Sequence, residues 1–303
     1  MQRTVPDVSG LFQPLEDTIR LQLIPSLTGR QVSDLERRLL ALSVRLGGMG
    51  LTNPVESADD EFKASSLLTS GLVAVVKNQD RDFSNLDAAE VSRKLKQVKS
   101  EKESKLKQKQ LELKEEMGPD GKRTIELCEE KGAGAWLNAL PIRSLGYDLN
   151  KQAFRDSICL RYNWRVPDTP AFCQCGVRNS VDHALTCKRG GFVVRRHNGV
   201  RDLEAQLMKE VCSDVKVEPE LIPIGNEILN GNVAEKARLD VSGIGVWGGQ
   251  ERTFLDIRIL HPNCESYKHK SMKQVYAIHK AEKKRSYNER SFRLSTSAFL
   301  QLL

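Results

Sequence analysis

Three cysteines and one histidine occupy a short stretch of this lysine-rich chain, "CQCGVRNSVDHALTC" at residues 173–187. The four candidate ligands follow the spacing Cys173-x-Cys175-x7-His183-x3-Cys187. Three thiolates and an imidazole suit the tetrahedral coordination of Zn²⁺. A bound metal would also give shape to a loop with few apolar residues, because its binding free energy can substitute for a missing core. The spacing therefore predicts a closed structural zinc site.

Two alternatives to this ligand set stay open at the level of sequence. The first is coincidence, with a partly buried His183 beside three reduced cysteines. The second follows from the C-x-C spacing, which is tighter than the common C-x2-C arrangement. Cys159 or His197 would then replace one member of the set.

Composition limits the class of protein and the class of partner. The chain has 303 residues, 39% hydrophobic and 29% charged, with no apolar run long enough to cross a bilayer. The first ten residues lack the apolar segment of a signal peptide, so we expect an intracellular protein, nuclear or cytoplasmic, whose seven cysteines are thiols or metal ligands. A formal charge of +7 favours nucleic acid as partner, and neither a membrane nor a small-molecule substrate is expected.

The N-terminal half of the chain has helical patterns. Ser33 and Glu36 form a capping-box signature, and Pro54 begins a second helical segment. Residues 87–117 are charged with few apolar positions, so we interpret them as a solvated helix that acts as a spacer. We expect three parts, namely a helical part at 1–118, a connector with the zinc loop at 119–190, and a C-terminal domain at 191–303.

The order of elements after the cysteine cluster predicts an α/β domain. A helix at 195–212 carries Val200, Leu203, Leu207 and Val211 on one face. The other predicted elements are strands at 214–224, 237–247 and 252–260, a helix at 271–289 and a strand at 291–299. Helices packed on a sheet are the expected arrangement for this order.

Two acids in the predicted strands are candidates for metal binding and catalysis. Asp240 and Asp256 become neighbours if their strands form a hairpin, and paired carboxylates can hold Mg²⁺ together with a substrate phosphate. Glu218 and Glu204 are candidate further ligands. Arg258 would stabilise charge on the phosphate but cannot act as a base. The alternative is that Asp256 and Arg258 form a structural ion pair.

Basic residues cluster at the predicted start of the helix that follows the zinc loop. Arg195, Arg196 and Arg201 would add positive charge to a helix N-terminus, where backbone N–H groups already favour phosphate. His197 would donate to phosphate or act as an acid and base near neutral pH, with capping or packing as the alternative. Lysine-rich runs at 268–270 and 280–285 are candidate phosphate contacts, a weak nuclear signal or solubilising surface.

These motifs together resemble the C-terminal end of proteins from non-LTR retrotransposons that carry a restriction-like endonuclease. The CCHC cluster, the basic-His-Asn motif of Arg196, His197 and Asn198, and the acids carry the resemblance. Arg238 and Asp240 match a basic-Pro-Asp element in which Leu239 replaces the proline. The N-terminal sequence at 23–54 is similar to the segment after the polymerase thumb, and no polymerase active site is present.

The resemblance implies a restriction-endonuclease-like core of helix, three strands, helix and strand. It implies structural zinc, catalytic Mg²⁺ if the enzyme is active, and DNA as partner, with element RNA as a further candidate. The implied catalytic residues are Asp240, Asp256, Arg258 and His197, and the implied DNA-binding residues are Arg195, Arg196, Asn198, Arg201 and Arg238. Arg258 stands where the PD-(D/E)XK superfamily has lysine, so Lys236, Lys273 or Lys280 would supply the amine. The expected function is DNA nicking, with a catalytically silent nucleic-acid-binding remnant as the alternative.

Overall fold

The chain forms two compact units, Met1–Thr169 and Pro170–Leu303. The computed structural model describes residues 1–79, 88–219, 239–293 and 299–302, with side chains described up to residue 282. The boundary between the units falls inside the predicted connector at 119–190. The first unit extends to Thr169 because its core includes three buried residues from the predicted connector, Ile125, Ile158 and Tyr162.

Helices make up the regular structure described in the first unit. Its α-helices are α1 Gln13–Thr18, α2 Ile24–Thr28, α3 Asp34–Ala41, α4 Pro54–Lys77, α5 Ala88–Glu116, α6 Gly118–Cys128 and α7 Lys151–Arg161. A π-helical turn, Ile19–Leu23, joins α1 to α2, and 3₁₀ turns occur at Ser9–Phe12, Val44–Leu46, Ala135–Asn138 and Arg143–Leu145. The apolar core contains Ile24, Leu39, Leu40, Leu42, Leu113, Ile125 and Ile158.

The predicted start of α3 is confirmed. Ser33 Oγ accepts the backbone N–H of Glu36 at 3.3 Å, and the Glu36 carboxylate accepts the N–H of Ser33 at 2.8 Å. Burial acts to raise the pKa of Glu36, but hydrogen bonds from Arg30 and Ser33 outweigh it and lower that pKa. The capping box therefore satisfies backbone donors at the helix start and keeps its carboxylate charged.

The long charged helix α5 is not a free spacer, and this part of the sequence-based interpretation is wrong. Its C-terminal part enters the core of the first unit, where Leu113 is 1% exposed and the Gln110 side chain donates to the Leu46 carbonyl at 3.0 Å. Ion pairs also join α5 to α4: Lys102 with Glu61, Lys105 with Asp60, and Lys109 with Glu56. A few apolar residues at one end anchor this helix in the core, whereas most of its residues are exposed, as the predicted solvated helix requires.

The second unit has an α/β architecture, which confirms the expected fold class. Its helices are α8 Val181–Thr186, α9 Phe192–Val211 and α10 Met272–Arg293, and its strands are β1 Ser213–Val217, β2 Val241–Ile244, β3 Arg252–Ile257 and β4 Phe299–Leu302. The sheet has the order β1-β2-β3-β4. The first three strands are antiparallel, and β4 pairs with β3 in parallel.

The buried face of α9 differs from the apolar stripe in its sequence. Ala205 and Met208 pack on Val241 and Leu255 of the sheet, and all four are at most 5% exposed. The stripe predicted from helical spacing is exposed, at 39% for Val200, 55% for Leu203, 49% for Leu207 and 81% for Val211. The small side chain of Ala205 allows α9 to approach the sheet closely. A pattern of large apolar residues at helical spacing does not reveal this contact.

The last predicted elements are displaced. The helix expected at 271–289 continues to Arg293, and the strand expected at 291–299 is described at Phe299–Leu302, with 294–298 outside the described residues. The predicted strand at 214–224 is seen as β1, and its part from 220 onward also lies outside the described residues. Among the described helices, none combines the length and the apolar character needed to cross a membrane.

Candidate functional site

The cysteine-rich loop is built from a short turn followed by α8. Phe172 and Arg178 form an antiparallel bridge, and the N–H of Cys173 donates to the Val177 carbonyl at 2.8 Å. Gly176 has a φ of +88°, a left-handed conformation that the tight turn requires. The turn places Cys173 and Cys175 beside the start of α8.

The other two candidate ligands come from α8. Ser180 caps this helix by accepting the N–H of His183 at 3.0 Å. Cys187 lies one turn after His183, and its N–H donates to the His183 carbonyl at 2.8 Å. Because residues four apart share a helix face, the imidazole and the last thiol point to the same side.

The four predicted zinc ligands meet in one cluster. Their ligand atoms all lie within 4.8 Å of one another: Cys173, Cys175, His183 and Cys187. The Sγ atoms of Cys173 and Cys187 are 3.8 Å apart, and Cys175 Sγ is 3.2 Å from His183 Nε2. A tetrahedron with Zn–S bonds of about 2.3 Å has S···S edges of about 3.8 Å. The donor set and its spacing therefore can hold a metal ion such as zinc.

One thiol of the cluster is activated by its surroundings. A hydrogen bond from the backbone of Cys175, assisted by the His183 side chain, lowers the pKa of Cys173 to about 6. This thiol is therefore mostly thiolate at neutral pH, which is the form that binds metals.

The alternative ligands lie elsewhere. Cys159 is buried in α7, with its Sγ 3.9 Å from the carbonyl of Thr28 in the first unit. His197 lies on α9 and its ring contacts the end of β3. The described residues therefore give the cluster its four predicted members and no substitute.

Two contacts tie the metal loop to the rest of the second unit. Asp182, next to the candidate ligand His183, has its Oδ1 2.7 Å from His261 Nε2. Arg196 donates to the Leu185 carbonyl at 3.1 Å, so this predicted DNA contact serves the loop. Sequence reasoning missed Asp182 and His261, although the position of Asp182 beside a candidate ligand was a signal.

Three acids lie at one level across the sheet. Val217 pairs with Val241, and Val241 pairs with Leu255. Glu218 directly follows β1 and Asp240 directly precedes β2, just outside the strands in which they were predicted, and Asp256 lies within β3. The N–H of Glu218 donates to the Asp240 carbonyl at 2.8 Å. The predicted neighbouring positions of Asp240 and Asp256 in the sheet are therefore observed.

The carboxylate of Asp240 holds the end of β3. Its Oδ2 accepts the N–H of Ile257 at 2.5 Å, and its Oδ1 is 3.4 Å from His197 Nε2. The same nitrogen is 3.2 Å from the Ile257 carbonyl. Because both partners are acceptors, we assign the proton of His197 to Nε2.

The acids do not gather into a second metal cluster. Within the described part of the chain, the cysteine-rich set is the one group of three or more ligand atoms close enough to share an ion. Asp256 is 4% exposed on β3, next to Leu255, which faces α9. Alternation along β3 directs Asp256 to the face opposite Leu255, and the Asp240 carboxylate contacts the N–H of Ile257 and the ring of His197. The magnesium site stays a prediction.

The candidate ligand Glu218 and the predicted phosphate contact Arg201 are ion-paired with each other. Arg201 also contacts the Asp202 carboxylate at 2.8 Å. Arg258 is paired as well, with Glu282 of α10, at 3.5 Å between Nη2 and Oε2. These ion pairs neutralise the guanidinium groups of Arg201 and Arg258, which the sequence predicts to contact phosphate.

The remaining predicted site residues divide between exposed, half-buried and undescribed positions. Arg195 is exposed, with its guanidinium 5.7 Å from the centre of the Phe192 ring. Asn198 and Glu204 are half-buried on α9, and Lys273 and Lys280 are exposed on α10. Arg238 and Lys236 lie outside the described residues.

Comparison with known proteins gave no match: no family model, no curated protein and no solved structure is significantly similar to this chain.

Proposed function

We propose that the second unit is a zinc-stabilised nucleic-acid-binding domain and that DNA is its partner. The observation that carries the proposal is the position of exposed cations on and beside the metal loop. Arg178, Lys188 and Arg195 are exposed, and no carboxylate of the described residues lies within ion-pair distance of them. Cations without acidic partners are available to phosphate, and a short basic surface on a metal-held loop is a common basis for nucleic-acid binding.

Zinc is the metal that the donor set favours. Three thiolates with one imidazole in a closed cluster are typical of structural zinc sites, whereas Mg²⁺ and Ca²⁺ prefer oxygen donors. Among the described residues of the second unit, the apolar cluster that connects α9 to the sheet has only four buried members. A structural metal would compensate for that small core.

The order of elements supports an origin from a restriction-like endonuclease. The second unit runs α9, β1, β2, β3, α10, β4, the order that the resemblance to non-LTR retrotransposon proteins implies. The first unit is proposed as the helical remnant that follows a polymerase in such proteins.

DNA nicking is the second candidate, and the row of acids at the end of β1, at the start of β2 and within β3 favours it. Asp240 and Asp256 would hold Mg²⁺, which supplies charge neutralisation at the phosphate and a more acidic bound water. Glu218 would join them only if its ion pair with Arg201 opened. The contacts of the Asp240 carboxylate with Ile257 and His197, and the pairing of Arg258 with Glu282, favour the silent alternative.

DNA binding is tested by replacing Arg178, Lys188 and Arg195 with alanine in the full chain. We expect weaker binding to duplex DNA. We also expect the slope of log affinity against log salt concentration to fall in magnitude by about 0.9 for each phosphate that the variant no longer neutralises. A control variant removes the same charge from exposed lysines of the first unit: Lys77, Lys131 and Lys151. Equal affinity and equal slope for both triple variants would contradict the proposal.

Nicking is tested separately with supercoiled plasmid and Mg²⁺. If the second candidate is correct, Asp240→Asn combined with Asp256→Asn abolishes nicking, whereas the exposed Glu251→Gln leaves it unchanged. Thermal melting of each variant checks that the fold survives. Absence of nicking by wild type, with DNA binding intact, would establish the silent alternative.

A further inference from the structure

We propose that Asp182 and His261 are positioning residues that transmit metal binding in the loop to the ends of β2 and β3. The inference rests on the proposed metal site, because it requires the cluster to bind zinc. Its basis is the contact between Asp182 Oδ1 and His261 Nε2 at 2.7 Å. The His261 side chain is 10% exposed and that of Asp182 is 44% exposed, so the contact is shielded from water on the histidine side.

The two ends of this contact lie at functionally different places. Asp182 belongs to α8, the six-residue helix that carries His183 and is followed directly by Cys187. His261 follows β3 by four residues, shortly after Ile257, whose N–H and carbonyl contact Asp240 and His197. The contact therefore joins the metal ligands to the chain segment that carries the strand ends.

A second contact runs from the same short helix. The Leu185 carbonyl, which lies between the candidate ligands His183 and Cys187, accepts a hydrogen bond from Arg196 at 3.1 Å. Arg196 is adjacent to His197, whose ring lies 3.4 Å from Asp240. The loop thus holds the strand ends from two directions, one through β3 and one through the first turns of α9.

Helix α8, which carries both of these contacts, is too short to be stable on its own. A helix of six residues is far below the length at which isolated helices are stable in water. Without metal, α8 loses the ligand bonds made by His183 and Cys187. The acceptors on Asp182 and Leu185 then lose their fixed positions, and the strand ends lose two supports.

The inference is tested by hydrogen exchange measured by mass spectrometry on the full chain, with zinc bound and after chelation. In wild type, we expect chelation to raise exchange at 192–198 and at 255–261. In Asp182→Ala, zinc stays bound, yet exchange at 255–261 is about tenfold faster than in wild type, as expected for loss of one charge-assisted hydrogen bond. Chelation then adds little further exchange at that segment.

Two variants separate positioning from general damage. Asp182→Asn keeps an oxygen acceptor for His261 and is expected to restore most of the protection, while His261→Phe removes the donor and is expected to reproduce Asp182→Ala. The exposed Glu210→Ala on α9 is the matched control and should behave as wild type.

The outcomes distinguish the inference from the proposed metal site. Zinc-loaded Asp182→Ala and His261→Phe with wild-type protection at 255–261 would overturn the inference alone. A wild-type protein that binds no zinc would overturn the metal site and the inference together.

Discussion

The buried ion pair of the first unit gives the sharpest prediction on stability. Arg37 and Glu16 have side chains only 5% and 8% exposed. Arg37 Nε and Nη2 each donate to one carboxylate oxygen of Glu16 at 2.6 Å, and Nη1 donates to the Leu51 carbonyl at 2.7 Å. Arg37→Ala removes all three hydrogen bonds and leaves the Glu16 carboxylate buried without its cation.

The expected cost of Arg37→Ala follows from that burial. Removing one partner of a buried pair costs about 3–5 kcal/mol of unfolding free energy, because the other charge is left uncompensated. For a unit of this size, each kcal/mol lowers the melting temperature by about 2–4 °C. We therefore expect a loss of about 6–20 °C, and we expect Arg37→Met combined with Glu16→Leu to recover most of it.

Tryptophan fluorescence can follow this transition. Trp136 and Trp164 pack against the core of the first unit, whereas Trp247 of the second unit is 59% exposed and will change little on unfolding. Arg38→Ala is the matched control, since its guanidinium pairs with Glu116 at the surface and such pairs contribute little. An Arg37→Ala midpoint no lower than that of Arg38→Ala would refute the reasoning.

Three further predictions concern the same unit. Gly48→Ala should lower the free energy of unfolding by about 3 kcal/mol, the upper end of the usual cost of overpacking, because its Cβ would lie 2.0 Å from the Leu42 carbonyl oxygen. Gly10→Ala, with open space around it, should be tolerated in the same melts. Ser33→Ala should cost about 1 kcal/mol in urea titrations through loss of the helix cap. Burial raises the pKa of Cys128 from 9.0 to about 11, so about one thiol in a thousand is ionised at pH 8 and iodoacetamide should leave it unmodified by mass spectrometry until unfolding. The folded unit holds the thiol proton of Cys128 more tightly than the unfolded chain does, so the stability that this protonated thiol contributes should be lost between pH 9 and 11. Rapid alkylation of the native thiol would contradict the argument.

Local chemistry made parts of this structure predictable. The capping box at Ser33 and the proline at the start of α4 are signals carried by neighbouring residues, and both helices begin where predicted. The ligand cluster was predictable for the same reason, because all four residues of the set lie in one loop. Strands β2 and β3 follow from alternation on either side of the turn at 248–251.

Tertiary contacts decided the features that sequence reasoning missed. The buried face of α9 depends on how closely Ala205 approaches the sheet, and the large apolar residues of that helix gave the opposite answer. The burial of Leu113 depends on residues of other helices in the same core, such as Leu39 of α3 and Ile125 of α6. Arg201 pairs with Glu218 and Arg258 pairs with Glu282, and neither carboxylate lies in the same helix or strand as its arginine, so spacing in the sequence gave no indication of these two pairings.

X-ray absorption at the zinc edge, on the full chain purified without added chelator, tests the central claim most directly. The account predicts one equivalent of zinc with three sulfur neighbours at about 2.3 Å and one nitrogen neighbour at about 2.0–2.1 Å. It also predicts that Cys175→Ser combined with His183→Ala loses this metal. A protein that carries no zinc, or zinc with a shell of oxygen atoms that the double variant retains, would contradict the account.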